Sequence, residues 1–201
     1  MMIRLFVADI STLEDDIQNL ALSEYRLSRL EKIKISSKRK QSIGAELLLN
    51  YAVQECCPQL HPPFDIVCGD QGRPEFKSIP LYFNVSHSGK YVACAISDEL
   101  VGLDIENNLE FKPLVSQRFF NEKELELIEE ARDKNRCFAR IWTAKESVAK
   151  YYGIGLAMKL SEIDTIESDK YYIFQSEFES LVLSLFSTCK HDNINVEFVS
   201  I

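Results

Sequence analysis

The stretch FNVSHSGKYVACAISDELVGLDIE, residues 83–106, decides the fold. With Leu81 and Tyr82 just before it, it holds three short apolar runs, 81–86, 91–97 and 101–106, separated by Ser88-Gly89-Lys90 and by Asp98-Glu99. Runs of this length between turn residues predict strands joined by tight turns. In the last run Val101, Leu103 and Ile105 share one face, and Gly102, Asp104 and Glu106 share the other. Two carboxylates therefore stand side by side beyond a glycine.

Outward from this stretch the pattern changes period. Upstream, 3–8 predicts a first strand. Helices are predicted around 22–34 and 38–56, the second from Ile43, Leu47, Leu48, Tyr51 and Ala52 at helical spacing. Pro58, Pro62 and Pro63 break the chain before a strand at 64–68 and a turn at 69–74. Downstream, helices are predicted at 113–119, 121–132 and 135–152, the last stopped by Gly153. The tail from about 163 alternates and predicts two or three antiparallel strands. The fold class is α+β. The domain expectation is an N-terminal lobe of 1–106 and a C-terminal lobe of 107–201.

The chain has 201 residues, 46% hydrophobic and 27% charged, which fits globular domains and excludes wholesale disorder. No uncharged apolar run reaches the roughly 18 residues of a membrane helix, and the apolar N-terminus meets Asp9 too early for a secretory core. The expected setting is the cytoplasm, with no membrane partner. The net charge of −8 argues against nucleic acid. Residues 26–40 stand apart, with seven basic residues against one acidic. That segment is either a solvated helix face or an anion site. The six cysteines lack metal-ligand spacing and suit a reducing compartment.

Chemistry concentrates in two places. Glu146 and Lys150 lie four residues apart on one face of the helix at 135–152. If Glu146 meets Asp104 and Glu106, three carboxylates converge. Two of them about 5 Å apart already repel by roughly 3 kcal/mol at an effective dielectric of about 20. A hard cation such as Mg²⁺ relieves that repulsion and prefers oxygen ligands. The second place is Arg73 in a glycine-proline turn, followed by Ser86-His87-Ser88, which offer donors to an anion.

FNVSHSGKYVACAIS, then VGLDIE, RFFNEKE and WTAKESVAKYYGIGL, in this order and spacing, resemble the 4′-phosphopantetheinyl transferase superfamily. Length and N-terminal lobe resemble its two-lobed type, exemplified by the surfactin synthetase activator. The resemblance implies a pseudo-two-fold pair of similar α+β lobes in one chain, with the active site at the lobe interface, and a monomer. It implies transfer of the 4′-phosphopantetheine arm of coenzyme A to a serine of an apo acyl or peptidyl carrier protein, releasing adenosine 3′,5′-bisphosphate. It assigns Mg²⁺ to Asp104, Glu106 and Glu146. It assigns coenzyme A phosphates to Arg26, Arg29, Arg73, Ser86, His87, Ser88 and Lys150. Lys150 also stabilises the leaving side, and the base is either Glu124 or a metal-bound water. Two other readings stay open at this stage: a non-catalytic relative that binds coenzyme A or carrier protein, and a metal-dependent phosphodiesterase.

Overall fold

A computed structural model describes residues 2–69, 72–153, 159–166, 170–191 and 193–201. The chain forms two compact units, Met1–Leu100 with Asn193–Ile201, and Val101–Asp192.

In the first unit, β1 (Ile3–Asp9) leads to α1 (Glu24–Leu30) and α2 (Ser36–Cys56). A small antiparallel pair follows, β2 (Ile66–Cys68) and β3 (Pro74–Phe76), then the hairpin of β4 (Tyr82–Ser88) and β5 (Tyr91–Ser97). Every residue of β5 is buried, as expected of a strand paired on both edges, with β4 on one side and β1 on the other. Phe6 and Ala8 of β1 and Val92, Cys94 and Ile96 of β5 alternate onto one face. There they form a core with Leu48, Leu49, Ala52 and Val53 of α2. The period-2 and period-3.6 stripes read from the sequence thus meet each other.

The second unit begins with β6 (Gly102–Asn107), followed by α3 (Pro113–Phe119), α4 (Glu122–Glu130) and α5 (Lys134–Tyr152). A short 3₁₀ turn at Leu160–Glu162 precedes β7 (Tyr172–Phe178) and β8 (Leu181–Ser187). The sheet order is β6-β8-β7, all antiparallel, with the fully buried β8 in the centre. α5 packs across this sheet and ends at Gly153, whose φ of 72° is the left-handed conformation that glycine adopts freely. Trp142 of α5 stacks on Phe138 at 6.2 Å between ring centres and faces Phe119 and Phe120, so it packs, partly buried, against the core of this unit.

Three expectations change. The first helix ends at Leu30, and Lys32 and Ile33 continue as turns. The division falls at Leu100, not after Glu106, because β6 pairs with β8 instead of with the hairpin before it. The chain's end also leaves the second unit. β9 (Val196–Val199) pairs in parallel with β1, on the edge that β5 leaves open. Arg4 of β1 fixes it there through a two-pronged contact to Glu197, 2.9 Å to each carboxylate oxygen.

Candidate active site

The alternation of β6 puts Gly102, Asp104 and Glu106 on one face, and α5 lies on that face. The glycine makes this possible. A Cβ built on Gly102 meets the Ser147 carbonyl oxygen at 1.9 Å and the Tyr151 nitrogen at 2.7 Å. Helix backbone rests directly on strand backbone, as glycine in a strand permits. The neighbouring helix positions then reach the next strand position. Lys150 Nζ sits 2.7 Å from Asp104 Oδ1. Glu146, one turn earlier, feels both acids. Burial and the charge of Asp104 push its carboxyl up to about 7, with a further push from Glu106 and an opposing pull from Lys150. Asp104 is almost fully buried and Glu106 half-buried. Thr143 continues the contact along α5. Its hydroxyl meets Ser184 Oγ at 2.7 Å, in β8 directly across from Asp104.

So Asp104, Glu106, Glu146 and Lys150 form one electrostatic group where α5 crosses β6. Among the described residues no three His, Cys, Asp or Glu side chains close into a metal cage. The Lys150 ammonium sits on Asp104 and supplies the positive charge that three crowded carboxylates demand. The donor set suits a hard divalent cation, since it is all oxygen and its carboxylates lie close enough for Asp104 and Glu106 to add to the burial that raises Glu146.

Glu124 does not fit the role of an exposed base. Its side chain is completely buried. One oxygen accepts from the Asn121 backbone at 2.9 Å and pairs with Lys145 Nζ at 2.8 Å. The other accepts from Thr165, at 2.6 Å from its hydroxyl and 3.2 Å from its backbone N–H. Asn121 and Glu124 form a reciprocal capping box that starts α4. No face of this carboxylate is open to an approaching serine.

Arg26 is buried within the first unit. It is 7% exposed, not on the surface of the basic segment. Its Nε bonds Glu46 Oε2 at 3.0 Å and its Nη1 bonds Ser42 Oγ at 3.1 Å. The guanidinium is thereby committed to holding α1 on α2. Arg26→Ala strands the buried Glu46 carboxylate and is expected to cost about 3 kcal/mol in urea unfolding. An unchanged midpoint with weaker coenzyme A binding would restore the ligand role. Arg29 faces solvent, its guanidinium 5.6 Å over the Tyr25 ring. Arg73 is paired with Glu75 at 2.7 Å. In β4, Ser86 is buried, Ser88 half-buried and His87 exposed on the opposite face. These residues come from separate elements of the first unit. Ile154, Gly155 and Leu156 of the KYYGIGL motif lie outside the described residues.

The sequence reading missed Lys145, which is wholly buried in α5. Burial pulls its ammonium below the ordinary lysine range, while the hydrogen bond and charge of Glu124 resist. The signal was present: Ile141, Lys145 and Val148 recur at core spacing.

The family model of the 4′-phosphopantetheinyl transferase superfamily matches residues 100–192, the segment that carries all four clustered residues. The chain is 33% identical over 157 residues to the 4′-phosphopantetheinyl transferase AcpT of Escherichia coli (strain K12), covering 74% of this chain and 75% of AcpT. It is 28% identical over 134 residues to the transferase gsp of Aneurinibacillus migulanus, covering 64% of this chain and 54% of gsp. It is 33% identical over 94 residues to the transferase Sfp of Bacillus subtilis (strain 168), covering 45% of this chain and 42% of Sfp. The chain belongs to the 4′-phosphopantetheinyl transferase superfamily.

Proposed function

We propose that the residues gathered where α5 crosses β6 carry out this chain's reaction. The enzyme transfers the 4′-phosphopantetheine arm of coenzyme A to a serine of an apo carrier protein. The single observation that supports the residue assignment is the coupling of Glu146 to Asp104 and Glu106, with Lys150 on Asp104.

The serine oxygen bonds to the phosphorus on the pantetheine side, and that phosphorus loses its bond to the bridging oxygen of the nucleotide. Adenosine 3′,5′-bisphosphate leaves. Asp104, Glu106 and Glu146 would hold Mg²⁺. The metal, when bound, supplies Lewis-acid stabilisation of the pyrophosphate oxygens. Lys150, placed beside the same carboxylates, adds a positive charge where the leaving phosphate gains negative charge. Serine is a weak nucleophile at neutral pH, so its proton passes to a base. The burial of Glu124 supports another group in that role. In the first unit, Arg29, Arg73, His87 and the flanking Ser86 and Ser88 are proposed to grip the coenzyme A phosphates. Arginine and hydroxyl donors suit those anions. The same reading keeps the two units as related lobes of a monomer working in the cytoplasm. No described helix is long and apolar enough to cross a membrane.

Steady-state release of adenosine 3′,5′-bisphosphate tests the roles. Lys150→Ala is expected to lower kcat by about 10²-fold, the usual scale for one lost charge-stabilising donor. Arg73→Ala is expected to raise the KM for coenzyme A several-fold with kcat kept. A pure KM effect at Lys150 would reduce it to a binding residue.

A further inference from the structure

The KE pair of the WTAKE segment points two acid–base residues in different directions. Glu146 goes to the carboxylate group, and Lys145 goes into the interior. The Lys145 ammonium has three protons and three acceptors around it. These are Glu124 Oε2 at 2.8 Å, the Leu160 carbonyl at 2.7 Å and the Ile163 carbonyl at 2.8 Å. The ammonium also lies 5.6 Å from the centre of the Phe120 ring. Glu124 in turn holds Thr165 through both the hydroxyl and the backbone N–H. One ion pair thus ties together the start of α4, the middle of α5 and the segment 160–165 that includes the short 3₁₀ turn. Both members are 0% exposed, so each is satisfied wholly by protein groups.

We infer that Lys145 and Glu124 are a positioning pair for the transfer reaction. They lock α5 in rotation about its own axis and hold the returning segment against it. Glu146, the next residue along α5, and Lys150 are carried by that locked helix. A buried ion pair with every proton matched to an acceptor has one arrangement, whereas apolar packing alone tolerates several. The pair touches no substrate. The inference rests on the transferase reading and deepens it, because it takes Glu124 out of proton transfer.

The test is a pH–rate profile of carrier modification for wild type, Glu124→Gln, Lys145→Met and the double variant, each measured well below its own unfolding temperature. A positioning pair predicts that both single variants lose at least about tenfold in kcat and keep the wild-type apparent pKa values. The double variant then falls no further than the worse single one, since both changes break the same lock. Loss of the acid limb in Glu124→Gln alone, with the limb intact in Lys145→Met, would make Glu124 the base and overturn the inference. Wild-type kcat in either folded single variant would reduce the pair to a stability element. Thr165→Val covers the case in which these variants do not fold. It removes only the 2.6 Å hydroxyl contact to Glu124. It is expected to lower kcat several-fold at unchanged KM for coenzyme A, and unchanged kcat would count against the lock. A wild-type enzyme that modifies no carrier would fail the transferase reading itself, a result separate from all of these.

Discussion

Asp104→Ala is expected to leave a folded protein that no longer modifies its carrier, with turnover down by at least roughly 10³-fold. The change removes the most buried of the three carboxylates and the anchor of Lys150. It does not remove a packing element, because Asp104 lies on β6, an edge strand, and its row is completed by Ser184 and Gln175. Losing one of several like charges also relieves repulsion on Glu146. The unfolding midpoint should therefore move little, and circular dichroism should match wild type. Near wild-type turnover in this variant would remove the metal and leaving-group assignment together.

Gly102→Ala is expected to have the largest effect on stability. The added methyl would lie 1.9 Å from the Ser147 carbonyl oxygen and 2.7 Å from the Tyr151 nitrogen. Both are helix backbone, so no side chain can turn aside. Either α5 lifts from β6 or the strand bends away. The expected cost is about 3 kcal/mol or more, at the upper end of overpacking penalties. Lifting α5 would also separate Lys150 from Asp104, so transfer activity should fall with stability. Urea unfolding measures the first effect and carrier modification the second. A wild-type midpoint would mean that α5 does not rest on Gly102.

Much of this was legible in the sequence for a local reason. The carboxylate face of β6 follows from a period of two over six residues. Glu146 and Lys150 share a face because they are four apart. What escaped is non-local. Arg26 and Arg29 look alike in a basic run, yet three positions turn one toward Glu46 in α2 and leave the other in solvent. Only the packing of α1 on α2 separates them. Asn121 and Glu124 carry the spacing of a capping box, and Glu124 does cap α4. Its remaining partners, Lys145 and Thr165, lie 21 and 41 positions further along the chain. The destination of β9 was equally hidden. Its alternation predicts a strand but not its partner, and the open edge of β1 appears only once β5 has taken the other side.

The most direct measurement is the mass of apo carrier proteins after incubation with this enzyme, coenzyme A and Mg²⁺. The account predicts a gain of about 340 Da on at least one carrier, the mass of the transferred arm, with one adenosine 3′,5′-bisphosphate released per arm. Coenzyme A cleaved to free phosphopantetheine, or bound without any carrier gaining mass across the panel, would contradict it.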